Sequence, residues 1–284
     1  MTAFRQGRLR VGDFAFDTRE WGPPSGLPLL ALHGFPQGAE SWDRLGHCLG
    51  DAGVRTIAFD QRGYSPGARP PLETYTLDAV VADALGVADA LGFERFHIAG
   101  FGMGAVQAWE LAAVVPQRVR TLTALRFPHP RSFAEAVATD AEQRALWTEL
   151  EGMSPPVPAA RALLADDCRG LREFLRGAGM PEVHIGRTVA RTGTEEILSA
   201  AIAWHLIPLE RMAKVGDIDV PTLYVWSAGP ALTAATAARC GEHVRGPFRS
   251  ETLAGVGHWM LETAGEQVAS RVRAHLAGEN EAAS

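Results

Sequence analysis

The 284-residue sequence contains few cysteines. The three cysteines, Cys48, Cys168 and Cys240, lie far apart in the chain. Because their number is odd and no CxxC spacing occurs, nothing favours a disulfide framework or a zinc site. We therefore expect neither a metal ion nor a cofactor.

The sequence also lacks an excess of positive charge and long apolar runs. Its formal net charge is −6, and its lysines and arginines are spread along the chain. This distribution argues against nucleic acid or an anionic membrane as a partner. The first residues include no apolar signal-peptide segment, and no run is long enough to span a bilayer. These absences predict a cytoplasmic protein, and they leave open whether it forms a homodimer.

What the sequence does contain is enough apolar residues for a large core, 46% of the total. Short apolar runs alternate with segments of helical spacing, which is typical of a parallel sheet covered by helices on both faces. The predicted strands are an opening hairpin around 9–16 and the runs 27–32, 54–59, 96–100, 119–125, 220–226 and 248–253. The predicted helices flanking them are 41–49, 76–91, 105–113 and 262–276.

The alternation of strands and helices is interrupted in the middle of the chain. From Phe127 to about Lys214 the sequence is rich in Ala, Arg and Glu and shows no strand signal. We interpret this segment as an all-helical insertion that lies over the sheet. The predicted domains are a core of residues 1–127 and 215–284 and a cap of residues 128–214.

The most informative stretch is a strand that ends in closely spaced glycines before a buried helix. Gly100, Gly102 and Gly104 surround the turn, a pattern typical of a nucleophile elbow. The central position of such a turn is expected to carry Ser, Cys or Asp, but here it carries Gly102. Without a side chain at this position, the sequence predicts no acyl-enzyme or alkyl-enzyme intermediate.

Four further motifs occur in a fixed order along the chain. They are His33-Gly34-Phe35-Pro36, Asp60-Gln61-Arg62-Gly63-Tyr64-Ser65, Pro128-His129-Pro130 and Gly257-His258-Trp259. With these motifs the sequence resembles the α/β-hydrolase superfamily over nearly its whole length, and most of all its branch of epoxide hydrolases and haloalkane dehalogenases. The resemblance implies the α/β-hydrolase fold, with a mostly parallel eight-stranded sheet and a helical cap, and it puts His258 at the position of the catalytic histidine.

The sequence departs from the pattern of that branch at three positions. The resemblance implies an Asp nucleophile where Gly102 stands, and an Asp between Gly229 and Pro230 to orient the histidine. It also implies a cap tyrosine that protonates the epoxide oxygen, where this chain has His205. The tyrosines of this chain, Tyr64, Tyr75 and Tyr224, all lie outside the predicted cap.

His258 and His205 are the predicted catalytic residues. An imidazole with a pKa of about 6.5 can move protons at neutral pH, and His205 would replace the missing tyrosine as proton donor. The backbone N–H groups of Phe35 and Met103 are predicted to stabilise a developing oxyanion. Each histidine has a structural alternative, as a hydrogen-bonded remnant for His258 and as a packing residue for His205.

The glycine at the elbow is expected to leave a larger, more apolar pocket for a polycyclic or aromatic small molecule. Arg126 would bind a carbonyl or phenolate of this substrate or pair with an acidic neighbour, and the sequence does not decide between them. The predicted substrate-binding residues are Phe35, Phe101, Gly102, Met103, Arg126, Trp204 and Trp259.

Our first functional hypothesis is an enzyme that closes a ring within its substrate, forming a C–C or C–O bond. It would open an epoxide with a nucleophile carried by the substrate, with His258 as general base or acid, in polyketide-type antibiotic biosynthesis. Positioning alone can lower such a barrier by roughly 7–11 kcal/mol. The alternatives are a ligand-binding protein without catalysis and an epoxide hydrolase in which His258 activates water directly.

Overall fold

The computed structural model describes residues 4–282, and their side chains as far as residue 278. An eight-stranded sheet forms its centre, with the order β1-β2-β4-β3-β5-β6-β7-β8. The strands are β1 (Phe4–Val11), β2 (Phe14–Trp21), β3 (Leu27–Leu32), β4 (Val54–Phe59), β5 (Phe96–Phe101), β6 (Val119–Leu125), β7 (Thr222–Trp226) and β8 (Phe248–Thr252).

The sheet is mostly parallel. The one antiparallel strand is β2, which pairs antiparallel with both β1 and β4, while all other neighbours run parallel. Every side chain of the central strand β5 is buried, as expected for a strand with helices on both faces. The prediction of an α/β-hydrolase fold with a mostly parallel eight-stranded sheet is confirmed.

Helices cover the sheet on both faces. Outside the β6–β7 connection they are α1 (Asp43–Asp51), α2 (Leu77–Ala90), α3 (Met103–Val114), α10 (Ala234–Ala238) and α11 (Met260–Ala282). The hydroxyl of Thr76 accepts a hydrogen bond from the Ala79 N–H and so caps α2. Helix α3 follows the central strand, and residues 103–112 are buried throughout, which explains why that segment has no polar face.

The connection between β6 and β7 is helical. It comprises α4 (Pro130–Thr139), α5 (Ala141–Glu151), α6 (Pro156–Gly177), α7 (Glu182–Thr192), α8 (Glu195–His205) and α9 (Leu209–Met212). Helix α6 is interrupted at residues 165–168, where the backbone leaves the helical conformation. All six helices fall within the predicted cap, and the division of the chain into two domains stays a prediction.

Charged and aromatic contacts fix these helices over the carboxyl ends of the strands. Arg191 of α7 forms an ion pair with Asp60, which follows β4, and another with Glu40 at 3.0 Å. The indole of Trp204 on α8 lies 6.0 Å from the ring of His33 and 6.3 Å from that of Tyr64. The cap helices therefore close the edge of the sheet at which the motif residues lie.

No helix within residues 4–282 is both long and apolar enough to cross a membrane. A cytoplasmic location stays a prediction.

Candidate active site

The turn between β5 and α3 has the conformation of a nucleophile elbow. Gly102 has φ 55° and ψ −120°, which only glycine adopts without strain, and its N–H donates to the carbonyl oxygen of Leu125 at 3.0 Å. A Cβ on Gly104 would lie 2.2 Å from the carbonyl oxygen of Leu32, so that position requires glycine. A Cβ on Gly102 would meet nothing closer than the Cα of Gly34, at 3.9 Å. The elbow thus keeps the space for a side chain that it does not carry.

The loop after β3 is held by His33. The backbone N–H of Gln61 donates to Nε2 of His33 at 3.1 Å, so the ring proton lies on Nδ1 and bonds to the carbonyl oxygen of Gly34 at 2.9 Å. Burial lowers the pKa of His33 to about 4. His33 is therefore a neutral residue whose nitrogens both bond to the backbone, and it fixes the loop that carries Phe35.

A small cavity lies between the elbow and the cap. Its volume is about 70 Å³, enough for several water molecules and less than the roughly 300–1,000 Å³ of typical ligand sites. Its walls are almost entirely apolar. They are formed by Phe35, Phe101, Gly102, Met103, Arg126, Phe127, Phe133, Trp147, Leu150, His205, Pro230, Ala231, Leu232 and His258.

Neither of the two tryptophans predicted to bind substrate lines this cavity. Trp204 is 1% exposed and turns toward His33 and Tyr64, on the side of α8 that packs against the core. Trp259 is 2% exposed and packs edge-on against the ring of His258 at 4.5 Å. Both side chains belong to the core beneath the cavity wall.

His258 lies in the loop between β8 and α11, beside Phe101 at a ring distance of 5.7 Å. Its Nδ1 accepts a hydrogen bond from Nε of Arg126 at 3.2 Å. Burial, the charge of Arg126 and the proximity of His205 hold the pKa of His258 well below its usual value. His258 is therefore a neutral imidazole at pH 7.

Arg126 occupies the place behind His258 where the resemblance implies a carboxylate. Its side chain is buried, and the remaining guanidinium nitrogens donate to the carbonyl oxygens of Ser227 at 2.7 Å and Pro230 at 2.6 Å. Among the described residues no carboxylate forms an ion pair with it, so of the two alternatives left open for Arg126 the acidic neighbour is not found. Burial lowers the pKa of Arg126 to about 10, and the guanidinium stays charged at neutral pH.

His205 forms part of the cavity wall opposite. It ends α8 and stacks on the ring of Phe35, with ring centroids 4.6 Å apart. Both ring nitrogens are buried, and neither has a hydrogen-bond partner among the described residues. Burial lowers the pKa of His205 to about 4. A buried imidazole without a partner is costly to keep unless a ligand or water completes it.

The other predicted site residues lie as follows. Phe35, Phe101, Gly102 and Met103 all line the cavity. Met103 begins α3, so its N–H is among those that have no acceptor within the helix. The use of the Phe35 and Met103 N–H groups to bind an oxyanion stays a prediction.

Sequence reasoning did not identify the apolar cap residues of the site. Phe133 on α4 and Trp147 on α5 contact each other at a ring distance of 5.5 Å, and Leu150 lies beside them on the cavity wall. The signal that could have identified them is the apolar face of two short helices. The contact of Arg126 with His258, across 132 positions, has no such signal.

One acidic cluster lies outside this site. Donor atoms of Glu135, Glu242 and His243 lie within 4.8 Å of one another. Arg239 Nη2 bonds to both carboxylates, at 3.0 and 2.9 Å, so the guanidinium already lies where a metal ion would have to bind.

Comparison with known proteins agrees with this fold. Residues 28–153 match the family described as alpha/beta hydrolase fold. Epoxide hydrolase A of Mycobacterium tuberculosis is 29% identical over 91% of this chain and 93% of its own length. Human epoxide hydrolase 4 is 26% identical over 84% of this chain and 69% of its own.

Solved structures show the same fold. Epoxide hydrolase A from Mycobacterium thermoresistibile superimposes with a TM-score of 0.85 at 23% identity, covering 97% of this chain and 99% of its own. The Bacillus megaterium epoxide hydrolase, solved in complex with an inhibitor, gives a TM-score of 0.83 at 20% identity, with 95% and 100% covered.

These relatives overturn the hypothesis of a ring-closing enzyme of antibiotic biosynthesis. Proteins similar over most of the chain are named epoxide hydrolases, and hydrolysis, the earlier alternative, agrees better with them. Ring closure was ranked above direct hydration because Gly102 removes the covalent route, although water can itself attack an epoxide. The chain has the α/β-hydrolase fold, and it is similar in sequence to proteins named epoxide hydrolases.

Proposed function

We propose that this protein hydrolyses a small epoxide by direct attack of water, without an ester between enzyme and substrate. The sequence relatives supply the substrate class. Gly102 is the reason for a mechanism without an ester, because no carboxylate stands at the elbow to attack the epoxide carbon. A bound water molecule would take the space that its side chain leaves.

The observation that carries the proposal is the pair of neutral imidazoles on the walls of one apolar cavity. Opening an epoxide with water requires one group to accept a proton from the water and one to stabilise the oxygen that leaves carbon. The water oxygen bonds to carbon, the ring C–O bond breaks, and the alkoxide takes up the proton, so that a diol forms. Such proton transfer accelerates reactions by roughly 100- to 10,000-fold.

The cavity also bears on the size of the substrate. Its apolar walls suit an epoxide with a hydrocarbon or aromatic substituent. A volume of about 70 Å³ does not hold a polycyclic or aryl molecule unless the cap moves, so a short alkyl epoxide is the better first probe.

The test is a single-turnover reaction of excess enzyme with propylene oxide in ¹⁸O-labelled water. We expect diol formation above the uncatalysed rate, with ¹⁸O in the product of the first turnover, because the oxygen comes directly from water. An ester route would instead place unlabelled protein oxygen in that first product. Binding of the epoxide without any acceleration would refute catalysis and identify a binding protein.

A further inference from the structure

Building on the proposed hydration, we infer that Arg126 fixes the proton of His258 on Nε2, so that His258 donates a hydrogen bond to the epoxide oxygen and His205 accepts the proton of the attacking water. Arg126 is thus a positioning residue. The direction of proton transfer is opposite to that of an enzyme whose histidine has a carboxylate behind it.

The chemistry of Arg126 and His258 determines which ring nitrogen carries the proton. A guanidinium carries only donors, and the N–H on Nε of Arg126 points at Nδ1 of His258 over 3.2 Å. Nδ1 must therefore offer its lone pair. A neutral imidazole that accepts at Nδ1 carries its single proton on Nε2. The charge of Arg126 also disfavours a second proton on the ring.

Hydrogen bonds hold Arg126 in place. Its other two nitrogens bond to the carbonyl oxygens of Ser227 and Pro230, and its own carbonyl oxygen accepts from the hydroxyl of Tyr224 at 3.1 Å. Ser227 in turn donates through Oγ to the carbonyl oxygen of Gly257, next to His258, at 2.8 Å. The donor and the ring that it orients therefore belong to one hydrogen-bonded unit.

The region behind His258 offers little space for an acidic side chain. A Cβ on Gly229 would lie 2.9 Å from Nη2 of Arg126 and 3.2 Å from Cβ of His258. The guanidinium therefore fills the region behind the histidine, and a carboxylate there would have to displace it from its present bonds. The arrangement is a replacement of the acid and not a vacancy.

The consequence is a division of labour. With a proton already on Nε2, His258 cannot accept one from water there, but it can donate a hydrogen bond to the oxygen of the opening epoxide. His205 keeps a lone pair in either tautomer, and neither of its nitrogens is committed to a partner among the described residues. Water gives its proton to His205 while its oxygen bonds to carbon. The imidazolium of His205 then returns this proton to the alkoxide, and no net proton is lost.

The direct test is the tautomer of His258 in the full-length protein. Long-range ¹H–¹⁵N correlation spectra at pH 7, assigned with a His258→Gln variant, distinguish a protonated Nε2 from a protonated Nδ1. We expect Nε2–H in the wild-type protein and loss of this fixed tautomer in Arg126→Met. The exposed variant Arg245→Met is the matched control and should leave the spectrum of His258 unchanged. A wild-type protein with Nδ1–H would overturn the inference, whether or not the enzyme forms a diol.

A second test separates donor from base in catalysis. An amide can donate a hydrogen bond but cannot act as a base, so His258→Gln should retain at least tenfold more activity than His258→Phe. His205→Gln should be as inactive as His205→Phe. The reverse pattern would assign the base to His258 and refute the division of labour, while leaving direct hydration intact. If no variant or wild-type protein forms a diol, the proposed function fails and the NMR result still decides the tautomer.

Discussion

Two histidines at the carboxyl edge of the sheet, His33 and His258, obey the same rule with opposite results. An N–H group donates to Nε2 of His33, which leaves the proton on Nδ1, where the backbone uses it. For His258 the donor is Arg126 at Nδ1, and the proton is left on Nε2. Both rings are neutral because burial lowers their pKa values. The comparison teaches that the partner of one nitrogen decides whether the other serves the fold or the cavity.

The largest effect should be the loss of catalytic rate when a histidine of the cavity is replaced. His205→Phe is expected to lower the rate of diol formation roughly 100- to 10,000-fold, the range for general acid–base groups. Stability should not fall, because phenylalanine keeps the stacking on Phe35 and removes buried nitrogens without partners. Turnover assays and urea unfolding of the same preparation check both parts. Activity within threefold of the wild type would remove His205 from the mechanism.

Replacing His33, the histidine that serves the fold, should lower stability. His33→Leu leaves the N–H of Gln61 and the carbonyl oxygen of Gly34 without partners. Each orphaned group costs about 1–3 kcal/mol, so we expect the free energy of unfolding to fall by about 2–5 kcal/mol. Urea titration measures the loss. A change below 1 kcal/mol would show that the loop does not depend on this ring.

The glycines of the elbow sharpen the contrast between fold and site. Gly102→Ala should cost about 1–2 kcal/mol, the strain of a left-handed backbone, because the space for a Cβ is open. Gly104→Ala should cost more, since its Cβ would lie 2.2 Å from the carbonyl oxygen of Leu32 and the backbone must move. Thermal and urea unfolding of the two variants compare them directly. Equal losses would contradict the open space at the elbow.

The effect that is smallest at neutral pH, and that grows only in acid, should be a change in the pH dependence of stability. The folded pKa of His205 is about 4, below the unfolded value of about 6.5, so between these limits only the unfolded chain binds the proton. Its contribution to stability is therefore lost as the pH falls from 6.5 to 4. Unfolding of wild type and His205→Phe at several pH values should give a shallower acid loss in the variant. Glu262, whose burial raises its pKa to about 7, contributes equally to both and cancels. Parallel curves would refute the lowered pKa of His205.

The sheet was largely predictable from the sequence, and the reason is local. The bounds of β3, β4 and β6 agree with the predicted runs because buried parallel strands are continuous apolar segments. The strand predicted at 220–226 is two residues shorter in the structure. Pro221 has no N–H to donate to the neighbouring strand, and β7 begins at Thr222.

The site was predictable only where a motif carried it. The sequence motifs placed His258 and the glycine elbow correctly, because both belong to local turns. The contact between Arg126 and His258 joins distant loops, and Trp204 and Trp259 turned toward the core for reasons of packing that periodicity does not encode. The tautomer of His258 depends on that long-range contact. For this reason the sequence left His258 as base or acid, whereas its contact with Arg126 favours a hydrogen-bond donor.

The open space above Gly102 has a consequence for redesign of the site. A Gly102→Asp variant would put a carboxylate into the cavity, where it could form an ester with an epoxide carbon. His258, with its proton facing the cavity, has no free lone pair to help water cleave that ester, so the cleavage would depend on His205. A Gly102→Asp, His205→Phe double variant should therefore react once with the epoxide and stay modified.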